Sequence, residues 1–169
     1  MKKLFLLLTL ISLFNISFAQ TDSLIIGQNL PKEKLFINVR LEPYVEEFIA
    51  EGLERGFYLR GYLIKKFDYI MVADSLPANP GQIGEKIGQV GPDGRGFFVN
   101  KMILSDTIQT KVTVFHEIGH IVKQNGNHIC GRCYNIMSQY APADLSPYTD
   151  EEFWEEILDI YFNNLNTPD

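Results

Sequence analysis

Apolar and polar positions change period several times along this chain, and each change predicts an element. Leu35-Phe36-Ile37-Asn38-Val39-Arg40-Leu41 alternates with a period of about two, the mark of a half-buried strand. Pro43 then opens a helix whose apolar face is Val45, Phe48, Ile49 and Leu53, with Gly56 as its stop. Tyr58 to Ile64 reads as a second short strand, and Phe67 to Ala73, rich in β-branched and aromatic residues, as a third. Between Pro77 and Gly96 lie six glycines and three prolines, which leaves room for one irregular edge strand around Ile87 to Val90. Gly96 to Leu104 reads as a further strand.

The period then lengthens. Asp106 suits an N-cap, and Gln109 three residues later completes a capping-box pattern. Ile108, Val112, Phe115, Gly119 and Val122 form one stripe at helical spacing, and Asn125-Gly126 is the expected stop. A loop from Asn127 to Tyr148 leads to a second capping box, Thr149 to Glu152, and a helix burying Phe153, Trp154, Ile157, Leu158 and Tyr161. Strands mixed with helices, followed by helices alone, predict an α+β (mixed α/β) domain.

The first residues belong to a different class. Met1-Lys2-Lys3 is a short basic start, Leu4 to Leu13 is almost wholly apolar, and Ser17-Phe18-Ala19 presents small residues where a signal peptidase reads. This predicts a signal peptide over residues 1–19, cleaved after Ala19, because the apolar run is short for a bilayer span. The mature chain, residues 20–169, is then a single domain with a flexible segment at 20–32, expected to be secreted or periplasmic and monomeric. The full chain's formal charge of −6, more negative still without Lys2 and Lys3, disfavours nucleic acid and anionic membrane as partners. Export exposes Cys130 and Cys133 to oxidising conditions, which favours a disulfide over a redox pair or half of a second zinc site.

The candidate chemistry lies on the central helix. His116 and His120 are four residues apart, so both imidazoles project from one face, one turn apart, close enough to grip one metal ion. Zn2+ accepts imidazole nitrogen, and a catalytic zinc keeps three protein ligands and one position open for water. Glu117 falls beside the metal, where it can act as general base toward that water. His128, the remaining histidine of the chain, is the candidate third ligand, and Glu151, Glu152 or Glu155 on the last helix are carboxylate alternatives.

The run HEIGHIVKQNGNH, followed by CGRCYNIMS, resembles the metzincin clan of zinc peptidases. That clan carries His-Glu-x-x-His-x-x-Gly-x-x-His and then a tight turn holding a methionine beneath the metal. Asn135-Ile136-Met137-Ser138 looks like that turn, and Met137 would be its structural methionine. The spacing departs from the clan pattern, since Lys123 stands where its glycine falls and His128 arrives two residues after its third histidine. Tyr140 sits one place from the tyrosine with which some members stabilise an oxyanion, and Tyr148 is a more distant candidate. The resemblance implies a zincin-like fold: a twisted, mostly parallel sheet with an antiparallel edge strand, an active-site helix, and a small C-terminal part ending in a helix. It implies a zinc endopeptidase acting on a peptide or protein substrate. The substrate would pair with the Gly-rich edge strand, and the loop from Ser138 to Pro147 would wall a side-chain pocket. Two other readings stay open: an exported zinc-binding or interaction protein with little turnover, and a gluzincin-type peptidase with a C-terminal glutamate as ligand.

Overall fold

A computed structural model describes residues 35–78, 84–122, 128, 134–138 and 144–166 of the protein, all within the unit formed by Lys32–Asp169. The signal-peptide and 20–32 expectations, like Cys130, Cys133 and Tyr140, lie outside the described residues. Strand β1 is Phe36–Ile37, followed by helices α1 (Glu42–Glu54) and α2 (Leu59–Lys66). Three further strands follow: β2 (Tyr69–Ala73), β3 (Gly88–Val90) and β4 (Gly96–Asn100). A short 3-10 turn at Lys101–Ile103 leads to α3 (Thr107–Val122), and another at Ser146–Thr149 leads to α4 (Glu151–Asn166). The described fold is therefore mixed α/β, with a four-stranded mixed sheet and four α-helices. None of its helices is long and apolar enough to cross a membrane.

The strand order is β1-β2-β4-β3, with β1, β2 and β4 parallel and β3 antiparallel at the edge. Chain order and sheet order differ because β3 and β4 form a hairpin whose second arm, not its first, pairs with β2. The alternation of β2 and β4 sorts their two faces. Ile70, Phe97 and Val99 are fully buried on one, while the Tyr69 and Phe98 rings meet at a tilt on the other, their centroids 5.3 Å apart. The buried face meets an aromatic core in which Phe48 of α1 touches Phe115 of α3 at 5.0 Å and Phe162 of α4 at 5.5 Å.

Several local expectations change. Tyr58 to Ile64 is helix, not strand: Leu59 and Leu63, one turn apart, are the buried positions, whereas Tyr58 is 85 % exposed. Burial at a spacing of four marks one helical face, and Lys65 and Lys66 complement the dipole at the end of α2. The strand expected over Leu35 to Leu41 is cut short at Ile37, because Asn38 turns the chain: its side chain accepts from Arg40 N–H, and its carbonyl accepts from Leu41 N–H. The strand expected to reach Leu104 ends at Asn100 for a similar reason, as the Asn100 side chain accepts from Met102 N–H. Leu53 is exposed and not part of the α1 core face.

The helix ends mostly follow the expectation. Gly56 stops α1 with φ 84°, and Phe57 N–H and Gly56 N–H reach back to the carbonyls of Gly52 and Leu53 in a Schellman arrangement. Asp106 caps α3 by accepting from Gln109 N–H at 2.9 Å. The reciprocal arm of a capping box is absent, since Asp106 N–H donates to the Ile103 carbonyl. The cap of α4 is Asp150, which accepts from Phe153 N–H; Thr149, expected there, instead donates its hydroxyl to the Ser146 carbonyl.

Candidate metal centre

Helix α3 passes beneath the hairpin of β3 and β4 and carries the histidines in its last two turns. Its orientation is held from three sides. Lys111 pairs with Glu47 of α1 at 3.1 Å and lies 4.1 Å over the Trp154 ring of α4. Tyr161, fully buried on α4, donates its hydroxyl to the Phe115 carbonyl at 2.8 Å. Tyr62 of α2 donates to the carbonyl of Val122, the last residue of α3.

One ligand atom from each of His116, His120 and His128 lies within 4.8 Å of the others, and this is the one such grouping of histidine, cysteine and acidic residues among the described residues. The ring centroids are 4.5 Å apart for His116 and His120, 5.3 Å for His116 and His128, and 4.9 Å for His120 and His128. The Nε2 atoms of His116 and His120 approach to 2.9 Å. His116 Nδ1 lies 2.6 Å from the Ile136 carbonyl oxygen, which can only accept, so the ring proton is on Nδ1 and the Nε2 lone pair points into the cluster. Burial and the neighbouring histidines hold the His116 pKa down to about 4, and burial also lowers that of exposed-edge His128. Three clustered imidazoles, with the His116 Nε2 lone pair turned toward the other two, are a donor set that a zinc ion takes. The residues present fit that metal.

Glu117 is buried, with burial pushing its carboxyl up to about 8 against the opposing pull of the Lys86 ammonium. Below the histidines, residues 135–138 make a tight turn in which Ser138 N–H donates to the Asn135 carbonyl and Met137 N–H to the Asn135 side chain. Met137 is buried with its sulfur against Gly119, where a Cβ would come to 2.5 Å from it. Gly119 lies between the two α3 histidines, so the absence of a side chain there admits both Met137 and the Tyr161 ring.

Other candidates stand apart from this cluster. Glu151 and Glu152 are exposed, and Glu155 pairs with Arg55 of α1, which also binds Glu51 and Asp159 at 2.8 Å each. Tyr148 is buried among Tyr134, Phe153 and Trp154, so its hydroxyl is not offered to a substrate. Two participants escaped the sequence: the Ile136 carbonyl, which any residue type supplies, and Tyr161, read only as core. Comparison with protein-family models, with curated proteins and with solved structures gives no match.

Proposed function

We propose that this protein is a zinc-dependent endopeptidase of metzincin type, with His116, His120 and His128 as the metal ligands. The observation that carries this reading is the convergence of His128 with the two helical histidines despite its late position in the sequence. The methionine turn seated on Gly119 and the antiparallel edge strand beside α3 support the same clan. Zinc, when bound, supplies Lewis acidity that makes a coordinated water a better nucleophile and polarises a carbonyl. The Ile136 carbonyl fixes the His116 tautomer and ring plane. Glu117 would take a proton from the attacking water at its carboxylate and return it to the leaving amine, a role its buried place next to His116 in the sequence allows. The outer edge of β3 is unpaired among the described residues, so an extended peptide can add to the sheet there.

The test is Glu117→Gln in purified mature protein, assayed on a mixed peptide library with and without chelator. Zinc stoichiometry is expected to stay unchanged while chelator-sensitive cleavage falls by at least about 100-fold. Full cleavage by the variant would sink the mechanism. Bound zinc with no cleavage by the parent protein would instead favour a zinc-binding protein without turnover.

A further inference from the structure

Glycines in this fold serve two different needs. Gly56, Gly84 and Gly94 adopt positive φ (84°, 95° and 66°), and a Cβ on any of them would meet nothing within 4 Å. Their turns require the backbone freedom, not the space. Gly88 is the reverse case. Its φ is not in the left-handed region, yet a Cβ built on it would lie 2.5 Å from Glu117 Oε1, 3.0 Å from Glu117 Cδ and 2.8 Å from Thr113 Cγ2. Ordinary contact between such atoms begins at about 3.5 Å, so the carboxyl occupies the volume that any side chain at position 88 would need.

Neither backbone can easily give way. Thr113 and Glu117 are one turn apart on the same buried face of α3. Gly88 sits opposite Val99 in the hairpin, and the segment before it is tied down by Asn100, whose backbone N–H donates to the Ile87 carbonyl at 2.8 Å and whose side chain donates to the Lys86 carbonyl at 2.9 Å. Asn100 is itself fully buried. Backing the strand away from α3 would break these hydrogen bonds, so a new side chain would move the carboxyl instead.

We infer that Gly88 is a positioning residue for Glu117: the bare edge-strand backbone forms the seat of the carboxyl and holds it in one place on α3. The catalytic consequence rests on the peptidase reading, whereas the seat itself rests on the contacts alone. Zinc-loaded mature protein is compared as parent, Gly88→Ala, Glu117→Asp and the double variant. Gly88→Ala is expected to keep its zinc and its KM while kcat falls by at least about tenfold, as misplacement of a reacting group by about an ångström does. In the Glu117→Asp background the carboxyl is one methylene shorter and clears the new methyl, so the same substitution should lower kcat by less than about threefold. Equal losses in the two backgrounds, or a loss confined to KM or zinc content, would overturn the inference. A parent protein that binds zinc and cleaves nothing removes the peptidase reading but not the seat, which is then decided by crystal structures of parent and Gly88→Ala. Displacement of the Glu117 carboxyl by about 1 Å or more supports the seat, and an unmoved carboxyl overturns it. If Gly88→Ala alone does not fold, the comparison is made in a Thr113→Ser background, which removes the other methyl the new Cβ would meet.

Discussion

Each histidine of the cluster reaches it by a different physical route. His116 and His120 come together because a helix places residues four apart on one face, so their pairing is a local property of α3. His128 lies beyond the described end of that helix, and its return to within 4.8 Å is a property of the chain path. The carboxylate alternatives fail at the same scale, since Glu155 is already engaged by Arg55. His128→Ala should therefore weaken zinc binding by more than about 100-fold, beyond what loss of an outer-shell partner costs, while Glu155→Ala should leave it unchanged. Competition against a chromophoric chelator measures both; the opposite ranking would move the third ligand to α4. At this scale HExxH was fully legible, but the Ile136 carbonyl and Gly88 were not, because a backbone acceptor and a missing side chain leave no residue-type signature.

At the scale of elements, hydrogen bonds at the ends decided what periodicity left open. Asn38 and Asn100 each end a strand earlier than the apolar pattern suggested, by accepting backbone N–H groups two residues on. The segment Leu59–Lys66 is too short for its period to separate strand from helix, and burial of Leu59 and Leu63 one turn apart marks the helix. The single-armed cap of α3 gives a sharp expectation. Asp106→Ala should destabilise the protein by about 1 kcal/mol, the cost of losing an N-cap acceptor, whereas Gln109→Ala should change stability by less than about 0.5 kcal/mol. Urea denaturation monitored by circular dichroism distinguishes them, and equal losses would show that both arms of a capping box are made.

For the molecule as a whole, packing and hydrogen bonding raise the proton affinity of tyrosine hydroxyls on three different elements, α4, the Ser146–Thr149 turn and β2. Tyr161 is fully buried against the Phe115 carbonyl, and burial drives its pKa strongly upward. Burial also pushes Tyr148 up to about 12, and burial with the Asp93 carboxylate does the same to Tyr69. A folded-state pKa raised above the unfolded value of 10.0 means that the protonated form is favoured by folding. These contributions are fully present below pH 10 and are lost as pH rises from there through about 12. Once pH passes about 8 and the Glu117 carboxyl is ionised, denaturation midpoints should hold steady to about pH 10 and fall steeply above it, with the fall shallower in Tyr161→Phe. A flat profile to pH 11.5 would contradict the burial of these phenols.

The sequence by itself determined what is local and periodic: the helical pairing of His116 with His120, the position of Glu117 between them, the edge strand near Val90, and the Asp106 and Gly56 helix ends. These follow from spacing and cap chemistry, which act over a few residues. Tertiary structure alone decided the β1-β2-β4-β3 order, the return of His128, the seating of Met137 on Gly119, and the bare Gly88 wall beside the Glu117 carboxyl. Those depend on which surfaces remain to be buried once the helices and strands exist, and such competition between distant apolar faces is not written in any one stretch of chain.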